Sequence, residues 1–175
     1  GENFDAETVP NLPVTWFTSV TGDGIPWTTV DTSSDTAPNS AFGADGAGPL
    51  AADEFLISPP INITTATATL TFRNRWTFEG TTTFYDGGVL EIDIAGGGFT
   101  DIVTAGGSFV SGGYTGTVSS SFGNPLAARS AWCNASAGYP GYLTTVVNLP
   151  AAAAGQTIQL QWRVGSDSSV GAVGQ

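Results

Sequence analysis

Histidine and lysine are absent from this chain of 175 residues, and cysteine occurs once. Without histidine there is no general base for the usual serine- or cysteine-based hydrolytic arrangements. Zinc also loses its commonest ligand, and a lone Cys133 does not replace it. One cysteine excludes an internal disulfide. Cys133 is therefore expected as a small buried hydrophobe, with an intermolecular bridge as the alternative. The basic complement is four arginines, at 73, 75, 129 and 163, against fifteen acids, giving a net charge of −11. Such a surface repels phosphate backbones, so nucleic acid is excluded as a partner. It also disfavours anionic membranes and favours cations. No apolar run approaches the ~20 residues that a transmembrane helix needs, and no signal-peptide pattern is present. A lysine-free, acidic surface suits an extracellular setting.

Helix-forming stretches rich in Glu, Lys, Leu and Arg are missing too, since only 11% of residues are charged. What is present is glycine (24 residues), abundant Thr and Ser, and five Trp, ten Phe and four Tyr. The reading is a single all-β domain over 1–175, an antiparallel sandwich of jelly-roll type. Strands are expected at 14–20, 27–30, 54–63 (ended by Pro59-Pro60), 67–78, 88–95, 99–105, 113–120, 142–149 and 157–165. "PAAAAGQ" (150–156) allows one helical turn at most. The sequons at Asn62 and Asn134 matter only in a eukaryotic secretory host.

The segment "DGGVLEID" (86–93) alternates strictly, with Val89, Glu91 and Asp93 on one face and Leu90 and Ile92 on the other. If 67–78 and 88–95 form a hairpin, one register keeps both apolar faces together. It sets Arg73 opposite Asp93 and Arg75 opposite Glu91, cross-strand pairs contributing about 0.2–1 kcal/mol each. The two carboxylates then pin a register rather than catalyse. Arg73, Arg75 and Arg163 are placed on one outer sheet face, a patch able to grip a carboxylate or sulfated sugar. Glycoside hydrolysis needs only two carboxylates, but alternating acids alone are unspecific, and the chain is expected to be no enzyme.

Calcium matches the acid-rich, glycine-rich loops better, since it takes about six to eight oxygen ligands. Candidates are Glu2 and Asp5 in "ENFD", Asp23, Asp45 in "GADGAG" and Asp53 in "AADEF". The five tryptophans read mostly as core. Trp132, Tyr139 and Tyr142 flank the irregular "AWCNASAGYPGY" segment, where an aromatic platform for a sugar is an alternative to packing.

The ordered set "ENFD…LPVTW", "ADEFLISPPI", "ATLTFRNRWTFE", "YDGGVLEI", "NPLAARSAWC" and "GYLTTVVNLPAAAAGQTIQLQWRVGSDSS" resembles the MAM-like jelly-roll modules of bacterial secreted proteins. These occur in immune-inhibitor-A-type metallopeptidases and in cleaved-adhesin or choice-of-anchor modules. The resemblance implies a module without catalytic residues, aiding stability or attachment, often with a structural calcium. It places Asp5 and Asp53 near that ion. The implied partners are a glycan, a protein surface or neighbouring domains. The family pattern continues after "GSDSSVG" with a last strand, whereas this sequence stops at "GAVGQ". A fragment, a strand donated by another chain and a different closure are all open. The second would make the chain a structural subunit of an extracellular fibre or layer, with homo-oligomers joined through an open edge.

Overall fold

The computed structural model describes residues 1–46 and 48–175. The chain is all-β, with one 3₁₀ turn at Ala151–Ala153 and no α-helix among the described residues. The strands are β1 (Phe17–Gly22), β2 (Thr28–Val30), β3 (Ser40–Phe42), β4 (Ala52–Ile57), β5 (Ile61–Asn62), β6 (Thr69–Asn74) and β7 (Gly87–Ile94). They continue with β8 (Thr100–Asp101), β9 (Ser108–Ser111), β10 (Gly116–Thr117), β11 (Ser130–Ala131), β12 (Leu143–Asn148) and β13 (Thr157–Ser166). All strand pairings between them are antiparallel. The larger sheet runs β1-β4-β13-β7-β8, with β5 also on β13, and the smaller runs β6-β12-β9. β2-β3 and β10-β11 are short two-stranded ladders.

The two larger sheets form a sandwich, because their inner faces share one core. Leu56, Leu90, Ile92, Ile158, Leu160 and Val164 from the large sheet pack with Val147 of the small one and with Trp76 and Trp132. The rings of Phe72 in β6 and Trp162 in β13 meet edge-to-face at 5.4 Å across the layer. Trp132, fully buried, lies within 6.0 Å of Phe72, Trp76, Phe109 and Tyr114. Each such aromatic pair adds about 0.5–1.5 kcal/mol beyond its buried area.

The expected hairpin of 67–78 with 88–95 does not form. β6 pairs β12, setting Arg73 opposite Thr144, while β7 lies between β13 and β8, with Glu91 opposite Gln161 and Asp101. The alternation of β7 is nonetheless as read, and what differs is its outer face. The stretch 114–135, which carries β10 and β11, folds over that face. It builds a second core of Val89, Val118, Leu126, Ala131 and Cys133. β7 is thus buried on both faces, and Gly87 and Gly88 permit it. A Cβ on Gly87 would lie 2.9 Å from the Trp132 carbonyl oxygen, and one on Gly88 would press on the Gln175 side chain. Cys133 is buried and free, and burial pushes its thiol up to about 12.

Candidate functional site

The end of the large sheet where β13 stops and β7 starts gathers four acids. Gly165 pairs with Gly87 there, so Asp86 and Asp167 flank the same rung. Asp45 arrives on the approach to β4 and Glu79 on the loop leading to β7. One carboxylate oxygen from each of Glu79, Asp86 and Asp167 falls within 4.8 Å of the others. Asp45 joins them, accepting hydrogen bonds at Oδ2 from the Ala172 N–H (2.7 Å) and the Glu79 N–H (3.3 Å). Asp86 Oδ1 accepts from the Asp167 N–H at 2.7 Å.

Three buried oxygens in this group have no hydrogen-bond partner: Asp45 Oδ1, Glu79 Oε2 and Asp86 Oδ2. Asp86 is 0% exposed. Burial, then the nearby Asp45 charge, pushes the Asp86 carboxyl up to about 8. Burial also pushes Asp45 to about 6 and raises Glu79. Next to the cluster, the fully buried Glu54 accepts from the Ile25 N–H at Oε1, leaves Oε2 unpartnered and is pushed by burial to about 7. Buried carboxylates normally find partners, and an orphaned one is costly. Unpartnered oxygens from separate segments, converging in one acidic nest, fit a hard cation with oxygen ligands such as calcium. Asp45, Glu79, Asp86 and Asp167 are the residues able to hold it.

Of the acids singled out in the sequence, Asp45 alone is in this nest. Asp53 instead receives both Nε and Nη2 of Arg163 at 2.7 Å, a two-pronged pair on the outer face of the large sheet. Asp5 accepts from the Asn39 N–H and from Asn3 and Thr36 side chains. Glu2 is exposed and caps its own turn through the Asn3 and Phe4 N–H groups. Asp5 and Asp53 therefore sit in separate hydrogen-bond networks. Glu79, Asp86 and Asp167 carried no spacing signal, since they approach only when β7 and β13 pair.

The arginines are divided as well. Arg163 lies on the large sheet, and its Nη1 is 3.2 Å from Glu91 Oε1. Arg129, from the overlying stretch, donates to Glu91 Oε1 and to Asp101 Oδ2. Gln161 supplies a further donor to Glu91. Glu91 is thus buried but fully engaged. Arg73 and Arg75 belong to the opposite sheet, so the three-arginine face expected from alternation does not exist. Arg73 pairs with Asp35 at 2.9 Å. Arg75 lies over the Tyr142 and Tyr139 rings, at 5.2 and 5.7 Å, and donates to Ser33 and the Pro140 carbonyl. Tyr139 and Tyr142 are half-buried, whereas Trp132 is enclosed and donates its indole N–H to the Gly112 carbonyl. The buried indole has no ring face to offer a sugar.

No family model matches the chain, and no curated protein does. Among solved structures, the chain is similar to the K1 cleaved adhesin domain of Lys-gingipain from Porphyromonas gingivalis W83. The identity is 15%, the match covers 95% of this chain and 93% of that chain, and the TM-score is 0.46.

Proposed function

We propose that this chain is a non-catalytic adhesion or accessory module of a secreted or surface protein, held in shape by calcium. The observation that carries the calcium reading is the nest of Asp45, Glu79, Asp86 and Asp167, with three unpartnered buried oxygens. A cation there would join the ends of β7 and β13 to the approaches of β4 and β7. Extracellular modules bind calcium at about 10⁻⁴–10⁻³ M, which fits a secreted setting. The non-catalytic reading is supported by the lack of histidine and by the engagement of Glu91 and Asp53 in ion pairs. The adhesion reading is supported by the segments that resemble MAM-like and cleaved-adhesin modules. Its target is a glycan or protein surface, met by the Arg75, Tyr139 and Tyr142 cluster.

The test is a thermal melt in millimolar calcium and in chelator. A ligand bound only by the folded state stabilises it by RT ln(1 + [L]/Kd), so calcium should raise the melting temperature. Equal melts would refute the calcium site. For the target, glycan-array and protein-array binding should drop in Tyr142→Ala, and a chain that binds neither array would count against adhesion.

A further inference from the structure

Asn124 ties together the two main-chain segments that carry Asp86 and Asp167 of the acidic nest. It is buried, at 3% exposure, within the stretch 114–135 that covers the outer face of β7. Its Nδ2 donates to the Tyr85 carbonyl and to the Gly165 carbonyl, both at 2.7 Å. Tyr85 immediately precedes Asp86, and Gly165 stands two residues before Asp167. The Asp167 N–H, donating to Asp86 Oδ1 at 2.7 Å, closes the ring. Asn124 Nδ2 itself lies 3.5 Å from that same oxygen. Asn124 Oδ1 accepts from the Leu126 N–H at 2.7 Å, so turning the amide over would break all three short bonds.

The sequence favours this posture locally. Asn124 precedes Pro125, and a residue before proline is held extended. An Asn side chain also bonds readily to the main chain two residues on. The planar amide presents two N–H groups at a fixed angle, and both are engaged by the two carbonyls. The approach to β13 is close. A Cβ on Gly165 would lie 2.7 Å from Asn124 Oδ1 and 2.8 Å from Leu126 Cγ, so a glycine there admits Asn124 to the rung. The Ser119 N–H, from the same covering stretch, donates to the Phe84 carbonyl at 2.8 Å. The cover is thus fastened at two points to the segment that leads into Asp86. Its other clamp, Arg129 on Glu91 and Asp101, lies outside the nest.

We propose that Asn124 is the positioning residue of the cation nest: by fixing Tyr85 against Gly165 it sets the spacing of Asp86 and Asp167, and so couples calcium binding to the docking of 114–135 over β7. This role rests on the calcium reading above and extends it to a residue that is not acidic. Groups that orient metal ligands from behind typically change metal affinity about 10–100-fold when removed. The coupling is reciprocal: whatever the docked cover adds to calcium affinity, calcium adds to the docking of the cover.

Calcium affinity is read by titration calorimetry on the folded wild type and two variants. Asn124→Ser, whose hydroxyl is too short to reach both carbonyls, should bind calcium about 10–100-fold more weakly. Arg129→Ala loosens the cover at its other end and lowers stability, yet should bind calcium as the wild type does. That contrast separates positioning from a general loss of stability. The wild type alone gives a second reading, whether or not Asn124→Ser folds. Hydrogen exchange is followed by NMR at the Ser119 and Leu126 main-chain amides and the Asn124 side-chain amide. Calcium at ten times its Kd should slow all three about tenfold, because undocking then requires its release. Wild-type affinity in Asn124→Ser, or an equal loss in Arg129→Ala, would overturn the positioning role and leave the calcium site standing. Calcium binding without slower exchange at these amides would overturn the coupling. A wild-type chain that gives neither binding heat nor a melting shift would remove the calcium reading, and the role of Asn124 with it.

Discussion

Glu91 shows how much one covered face changes the value of a charge. Its carboxylate is 5% exposed and Arg129, which answers it, is 26% exposed. The Arg73–Asp35 pair is 44% and 32% exposed. Water screens the second pair, so Arg73→Ala should cost within about 0.5 kcal/mol. Arg129→Ala removes two charged hydrogen bonds and leaves a buried carboxylate with Arg163 and Gln161 only, so it should cost about 2–3 kcal/mol. Urea denaturation of the two variants measures the contrast; equal losses would contradict it. Asp86 behaves in the opposite way. Without a cation its charge has an unpartnered oxygen and acidic neighbours. Above about pH 8, where its carboxyl is ionised, Asp86→Asn should therefore melt higher than wild type in chelator and lose the calcium-induced rise. A variant that still responds fully to calcium would remove Asp86 from the ligand set.

At the scale of elements, β7 and β13 carry the molecule. β7 is flanked by β13 and β8 and buried on both faces, while β1 is an edge strand with five of its six residues exposed. Amides of β7 and β13 should exchange only through global opening, and those of β1 through local fraying. Native-state hydrogen exchange checks this, and slow exchange in β1 would contradict it. Leu90→Ala, at a fully buried position of β7, should cost about 2–5 kcal/mol because the tight core relaxes only partly around the cavity. The strands were legible where alternation was clean, as in 88–95 and 157–165. β3, β9 and β11 were not, because strands this short are formed by their partners rather than by their own pattern. The pairing of β6 with β12 departs from the expected hairpin for a related reason. Two alternating strands can be matched in several ways, and proximity in sequence favoured a hairpin that the fold replaces by β12.

For the whole molecule, acid buried at one end couples stability to pH. Asp45, Glu54 and Asp86 are held by burial at about 6, 7 and 8, above their ordinary values of 3.8, 4.5 and 3.8. The folded state thus keeps protons that the unfolded chain releases. The contribution is fully present below about pH 4 and is lost as pH rises through about 6–8. In chelator, the melting temperature should fall across that range. Calcium competes with those protons, so its stabilising shift should grow from pH 5 to pH 8. A shift independent of pH would separate the cation from these acids.

The sequence by itself determined the all-β class, the inward phase of the main strands and the poverty of catalytic groups. Those follow from composition and from a two-residue period, which are local. It also put Asp45 among the cation candidates. The joining of Asp45 to Glu79, Asp86 and Asp167 and the cover over Glu91 were decided only by tertiary structure. Each depends on which strand lies beside which, and on residues far apart in the chain whose meeting leaves no periodic trace in the sequence.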